Sequence, residues 1–461
     1  MISYTKFKLI MGMDNLKYER PFIKKLTAGI MDKSGSQSAF TPVTEIDGIS
    51  VKQLISDYGS PLFVLSEQKM RQNYQSAVRA FNTRYPKVQF AWSYKTHYNN
   101  AVCKVFHQEG SWAEVVSGFE YRKALKNGVP GHNIIFNGPD KHIDEIRLAV
   151  ENDSLLHIDH FEELYTLIDV CTQINKKARV AIRINMDTGI YPIWDRFGFN
   201  YESGQAWSAI NKIVASDKLQ LVGLHAHIGT YMLSTAAYGI ATSKLCNLLV
   251  ECKSQLRIPI KYIDLGGGFP SANTLKGAIG LVPTPTVDEF AEAITSTILN
   301  YGIKTEDLPL LILESGRVLI DDAGYLLGSV LANKKLSDGR KATIMDFGVN
   351  VMFTSFWFDH KISPAQESSQ YNEDTVMYGP LCMNIDVVRE TVTLPLLNKG
   401  DHVVVHKVGA YNMTQWMQFI AMRPNIVMID TNGKAHVIRK AENLEYLEQM
   451  EMMPEHLASK S

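Results

Sequence analysis

The stretch "FAWSYKTHYNN", Phe90 to Asn100, begins as a buried strand and then changes character, its apolar run ending in Lys95 and His97. An amine in that place is either a solvated cap or a nucleophile held at the mouth of a pocket. Seven further segments repeat the opening: "WAEVVSG" (112–118), "IIFNG" (134–138), "LLHID" (155–159), "VAIRIN" (180–185), "LVGLHAHIG" (221–229), "YIDLGGG" (262–268) and "LLILESG" (310–316). Amphipathic helical patterns such as "GFEYRKALKNG" (118–128) and "FEELYTLIDVCTQINKK" (161–177) lie between them. Eight strand–helix repeats in about 230 residues match the size of a closed (β/α)8 barrel. A doubly wound open sheet is the rival, but eight consecutive units at this spacing favour closure.

After Gly316 the texture shifts. "YLLGSVLANKK" (325–335), "KATIMDFGVNV" (341–351), "GDHVVVHKVGAY" (400–411) and "NIVMIDTNGKAHVI" (425–438) are rich in Val and Ile and are separated by turn signals such as "SDGR" and "TNGK". They predict an antiparallel β domain. The segment "EIDGISVKQLISDYGSPLFVLSE" (45–67) is expected to lend that domain a strand before the chain enters the barrel. The expected divisions are an N-terminal extension (1–44), the joining strand and helix (45–66), the barrel (67–325), the β domain (326–440) and a tail (441–461).

With 461 residues, 45% of them hydrophobic, the chain can bury a large core. A net charge of −1 advertises no nucleic-acid or anionic-membrane partner. No apolar run approaches the roughly 20 residues of a membrane span. The opening "MISYTKFKLIMGMDN" lacks a sustained apolar core and a small-residue cleavage site, so no secretory signal is expected; Met11 and Met13 are alternative starts. Cys103, Cys171, Cys246, Cys252 and Cys382 are scattered and odd in number, without metal-ligand spacing. Free thiols and a cytoplasmic setting follow.

Barrel active sites lie at the C-terminal strand ends. Four ends stand out: Lys95, "HAHIGT" (225–230), "DLGGGFP" (264–270) and "ESGR" (314–317). If the barrel closes, its first and eighth strands are neighbours, and Lys95 and Glu314 face one mouth. "GGGFP" is a turn whose bare backbone can approach a ligand and present N–H groups to an oxyanion, although triple glycine also serves simply as a tight turn. Arg317 would add a charge-assisted contact. A lysine, a phosphate cradle and a carboxylate in one mouth suit pyridoxal phosphate. The plainer readings are a solvated Lys95, a local Glu314–Arg317 ion pair, and one of His225 and His227 facing the interior as a satisfied core histidine.

These motifs, in order over residues 45 to 425, resemble the barrel-type (fold type III) pyridoxal-phosphate decarboxylases that include diaminopimelate and ornithine decarboxylases, with a barrel like that of alanine racemase. The resemblance implies a Schiff-base role for Lys95 in "SYKT", and for Glu114 in "EVVSGFE" a place near the cofactor. It implies ring stacking by His227 and a phosphate contact by Thr230. Gly266, Gly267 and Gly268 would form the phosphate turn. Glu314 would pair with the pyridine nitrogen, while Gly316, Arg317 and Tyr411 would lie near the phosphate. The family also implies a homodimer, with Cys382 of "YGPLC" reaching across to protonate the carbanion.

The departures concern substrate. The two best-known branches have an acid after the cysteine, where this chain has Met383. Diaminopimelate decarboxylases carry an arginine after "D-x-G-x-N", and Thr354 falls near that position. Together with Phe356, Trp357 and Trp416, these point to a less charged or more extended distal group on an amino-acid substrate, such as a conjugate from specialised biosynthesis. Asp359 or Asp386 would otherwise supply the acid. A racemase on the same barrel is the enzyme rival, but racemases place arginine at the pyridine nitrogen and use a tyrosine as second acid–base, against Glu314 and Cys382 here. A non-catalytic regulatory homologue would typically lose the cofactor residues, which this chain retains.

Overall fold

Eight parallel strands close into a ring in the computed structural model, which describes residues 40–278, 283–367 and 371–457. The candidate start methionines and most of the expected extension lie outside the described residues. In order the strands are Val88–Ser93, Trp112–Val115, Ile134–Phe136, Leu155–Ile158, Ala178–Asn185, Leu219–His225, Tyr262–Asp264 and Leu310–Ser315. Each pairs with the next, and the eighth pairs with the first to complete the barrel. The open-sheet alternative is thereby excluded. Covered by the helices outside and packed against one another inside, these strands read as nearly continuous buried runs, as parallel sheets require.

Local signals set the intervening helices. The Ser66 hydroxyl accepts from the Lys69 N–H at 3.1 Å and starts helix Glu67–Asn82. From that helix Tyr74 and Phe81 pack edge-on to Phe90, with ring centroids 5.9 and 5.7 Å away. The Asn99 side chain caps helix Asn100–Gln108, whose Phe106 stacks on Trp92 at 3.9 Å. These contacts fix the strand that ends in Lys95.

The second sheet runs Val387–Pro395, Asn372–Tyr378, Lys341–Met345, Gly324–Lys335, Leu62–Ser66, Ile426–Ile429 and Ala435–Arg439, with Ile362–Pro364 and His402–His406 attached beside it. The segment before the barrel does lend it a strand, Leu62–Ser66. Most pairings are antiparallel as expected, but two are parallel: Lys341–Met345 with Asn372–Tyr378, and Leu62–Ser66 with Ile426–Ile429. Neither parallel pair is joined by a hairpin. Long connections let the second strand enter in the same direction as the first.

Asp321 links the end of the barrel to this sheet. Its carboxylate accepts from the Ser271 hydroxyl, from Asn273 Nδ2 at 2.8 Å and from the Ala410 N–H at 3.3 Å. Burial raises its pKa to about 6, against the opposing charge of Arg317. The folded state therefore holds this proton more tightly than the unfolded chain. The associated stability is present below about pH 4 and is lost as pH rises through about 6, an effect on the order of 3 kcal/mol. Urea titrations at pH 4, 5 and 6 should show a smaller decline in stability for Asp321→Asn than for the unmodified protein. Equal slopes would contradict this account.

Candidate active site

Just past the first barrel strand the chain tightens into a single turn, Tyr94–Thr96, which turns Lys95 into the mouth. Lys95 Nζ donates to both oxygens of Glu114, at 2.7 and 2.6 Å. Glu114, one residue before the end of the second strand, is fully buried, and it also accepts from the Ser93 hydroxyl. Burial lowers the pKa of Lys95, but the charges of Glu114 and Glu314 outweigh it and hold the amine above its ordinary value. Asn137, just beyond the third strand, joins the two carboxylates. Its Nδ2 donates to Glu114 Oε1 at 3.1 Å and to Glu314 Oε1 at 2.6 Å.

The glycine turn follows the seventh strand. A Cβ on Gly267 would lie 2.2 Å from the Glu314 carbonyl oxygen, and one on Gly268 2.2 Å from that of Gly229. Gly268 also has φ of 92°, and Gly266 has φ of 61°, so a side chain at either would be strained as well as crowded. The Gly267 N–H donates to His227 Nδ1 at 3.1 Å. Burial, with Arg183 and Lys95 nearby, holds His227 well below the usual histidine range. Its neutral ring therefore carries the proton on Nε2. Trp194 packs edge-on to that ring at 5.6 Å.

Arg317 is buried among aromatic faces, its guanidinium 4.8 Å from the Tyr411 ring centre and 5.0 Å from that of Phe358. Its Nη1 has no hydrogen-bond partner among the described residues. Gly316 before it is needed because a Cβ there would meet the Thr96 hydroxyl at 1.9 Å. Tyr411 is tied to the same place by its N–H, which donates to the Thr96 carbonyl at 3.0 Å. Lys95, His227, Thr230, Gly268, Glu314, Gly316, Arg317 and Tyr411 thus line one cavity.

The remaining candidates lie elsewhere. Cys382 is exposed and does not line this cavity, and Met383 beside it is partly exposed. Thr354 is buried, with its hydroxyl committed to Asn412 Oδ1 at 2.9 Å and His360 Nε2 at 2.8 Å. Asp359 pairs with Arg389 at 3.3 Å. The Asp386 carboxylate is turned inward and accepts from the N–H groups of Val349 and Leu381, both at 2.8 Å. Sequence reasoning passed over Asn137, Ser93 and Trp194. Asn137 carried the strand-end signal in "IIFNG", whereas Trp194 sits in a loop that carried none.

The family model for the pyridoxal-dependent decarboxylase, pyridoxal binding domain, matches residues 71–321. A diaminopimelate decarboxylase of Methanocaldococcus jannaschii is 31% identical over 430 residues, covering 89% of this chain and 95% of the relative. One of Bacillus subtilis is 29% identical over 423 residues, covering 88% and 95%. The crystal structure of the M. jannaschii enzyme superposes with a TM-score of 0.83 at 30% identity, covering 90% of this chain and 96% of that one. The chain belongs to the pyridoxal-dependent decarboxylases.

It is a pyridoxal-phosphate-dependent amino-acid decarboxylase. The site suits that cofactor on its own terms. A buried guanidinium nitrogen without a partner among the described residues and a turn too crowded for any Cβ are what an anionic phosphate needs. An amine poised beside a carboxylate is what an aldehyde needs. Gly267→Ala tests the cradle: the new methyl group should cost roughly 1–3 kcal/mol in stability. It should also abolish the cofactor's absorption band at roughly 420 nm. A variant that keeps the band at wild-type intensity would show that the turn does not shape the site.

Proposed function

We propose that this decarboxylase acts on an amino acid whose distal end is uncharged or extended by conjugation, in a homodimer whose sites are completed across the interface. The observation that carries the substrate reading is the pair of residues at the two distal-group positions. Thr354 has its hydroxyl committed to buried partners, and Met383 offers only a thioether. A charged distal group left unpaired in a desolvated site costs on the order of several kcal/mol. The relatives are diaminopimelate decarboxylases, and a related structure from Helicobacter pylori, 26% identical, holds L-lysine. Free diaminopimelate is therefore the reading to be tested against.

Pyridoxal phosphate, when bound, supplies an aldehyde that condenses with amines and a ring that accepts the electron pair released as carbon dioxide leaves. Lys95 is the amine, and Glu114 is placed to take the proton it must lose before it can act as a nucleophile. Glu314, oriented by Asn137, holds a proton on the ring nitrogen. His227 presents a flat neutral ring, braced behind by Trp194. Arg317, Thr230, Gly316, Tyr411 and the N–H of Gly268 grip the phosphate, and the bulk of Phe358 and Trp357 around Arg317 excludes water. Cys382 delivers a proton into the neighbouring subunit's site. Its exposure supports that arrangement, as do the exposed apolar side chains of Ile385, Phe419 and Met422. All five cysteines are free and four of them are buried, which supports a cytoplasmic setting.

Release of carbon dioxide should be measured with diaminopimelate, ornithine, lysine, arginine and amide-conjugated diamino acids. The expected result is turnover of a conjugated or uncharged-tail substrate well above the others. Strong turnover of free diaminopimelate would overturn the reading of Met383 and Thr354. The shared site has its own test. Lys95→Ala and Cys382→Ala should each be nearly inactive, and subunit exchange between them should restore about one quarter of wild-type activity, since half the dimers then carry one intact site. Mixtures that stay inactive would remove Cys382 from the partner's site.

A further inference from the structure

Beneath Glu314 the barrel interior holds a column of polar rings that the site described above does not use. Tyr262, on the seventh strand, is buried, and its hydroxyl lies 2.9 Å from Nε2 of the buried His157 on the fourth strand. Gly223 on the sixth strand makes room for it, since a Cβ there would lie 2.2 Å from the Tyr262 ring. The His157 ring packs against that of His225 with centroids 4.7 Å apart. His225 Nε2 lies 3.5 Å from Glu314 Oε2. His225 is the interior-facing histidine of "HAHIGT", yet neither of its ring nitrogens has a hydrogen-bond partner among the described residues, nor does His157 Nδ1. A core histidine placed for packing alone is normally satisfied.

We propose that Tyr262 and His157 are positioning residues that keep His225 neutral beneath Glu314, so that the carboxylate's charge is reserved for the ring nitrogen of the cofactor. The inference rests on the proposed pairing of Glu314 with that nitrogen. Around Glu314 stand Asn137 on Oε1 at 2.6 Å, His225 facing Oε2 at 3.5 Å, and the buried carboxyl of Asp264, which burial and the charge of Glu314 hold well above the usual carboxylate range and so keep neutral. Neutral donors orient a carboxylate without cancelling its charge, whereas an imidazolium would form a buried ion pair and compete with the cofactor from underneath. The hydrogen bond between the Tyr262 hydroxyl and His157 Nε2 fixes the His157 ring plane, and with the phenol as donor the His157 proton sits on Nδ1. That ring fills the space below His225 and keeps water out, and without water a charged imidazole is disfavoured. The charged and titratable groups around the pair are Lys95, Glu114, Lys141, Arg183, His227, Tyr262, Asp264 and Glu314. Burial, with Arg183 and Lys141 among these neighbours, sets both histidines well below their usual range.

The test is 15N NMR of histidine-labelled, cofactor-free protein between pH 5 and 8, with pyridoxal phosphate affinity measured at pH 6 and pH 8. In the unmodified protein both histidines should stay neutral throughout, His157 protonated on Nδ1 and His225 on Nε2. In His157→Ala, water should enter, His225 should gain a proton toward pH 6, and cofactor affinity should fall about tenfold at pH 6 relative to pH 8, the equivalent of one pKa unit. His157→Phe, which keeps the ring and the dry column, should restore a flat profile. A charged His225 in the unmodified protein would overturn the proposal even if the alanine variant does not fold. So would a His157→Ala profile as flat as wild type, or a stoichiometric divalent ion bound at His157, His225 and Glu314. Glu314→Gln separates the two levels: unchanged cofactor affinity at pH 8 would remove the Glu314 assignment itself. A loss there with flat histidine-variant profiles would remove only the column.

Discussion

The hydrogen bonding of the eighth barrel strand to the first, with Glu314 opposite Ala91 and Ser315 opposite Trp92, is the constraint on which the site depends. Residues 91 and 314 are far apart in the chain, and only closure of the ring makes them neighbours. That closure sets Lys95 and Glu314 on the two sides of one mouth and carries the glycine turn of the seventh strand beneath the Glu314 carbonyl. The tight packing there is two-sided. Gly267 has no Cβ because the eighth strand occupies its space, and the Glu314 N–H in turn donates to the Gly266 carbonyl at 2.8 Å. Glycine turn and acid are therefore one unit, held by backbone groups.

Gathering a lysine and two carboxylates in a buried mouth is unfavourable in itself, because each charge must leave water. The arrangement persists because nearly every charge has a partner. Lys95 is shared with Glu114, Asn137 divides one amide between two carboxylates, and Arg317 rests against aromatic faces. Among the described residues the buried atoms left without a hydrogen-bond partner include, besides interior ones such as both His225 nitrogens, one cationic nitrogen at the cavity, Nη1 of Arg317. Residual imbalance at that point marks a site built around an anion, whereas a structural salt-bridge network would close on itself.

The legible part of this molecule was the part governed by periodicity and by strand ends. Eight apolar runs of similar spacing imply a closed barrel, and closure makes Lys95 and Glu314 neighbours at one mouth. Asn137 shows the limit of that reasoning. It occupied a strand end like the others, but an amide has no chemistry of its own to attract notice, and its importance comes from lying between two carboxylates on different strands. Thr354 shows a second limit, because its place in the chain says nothing of the direction of its side chain, which Asn412 and His360 claim. The two parallel pairings of the second sheet were hidden for a related reason, since alternation reveals a strand and its buried face but not the direction of its neighbour.

The loop carrying Cys382 illustrates how such an enzyme can change substrate without losing its chemistry. The Asp386 carboxylate accepts from Val349 and Leu381 N–H groups, and its oxygens fill the space where Cβ atoms on Gly348 and Gly379 would stand. The Asp386 N–H donates to the Met383 carbonyl at 3.1 Å, closing the turn through backbone atoms. None of these contacts involves the Met383 side chain. Residue 383 is thus free to vary while the thiol of the preceding residue keeps its position. On the roles proposed for this loop, a substitution there would alter what it recognises and leave Cys382 where it stands. On that proposed reading, separation of this kind would let a shared barrel and cofactor serve different amino acids, with specificity carried by a side chain that the fold does not need.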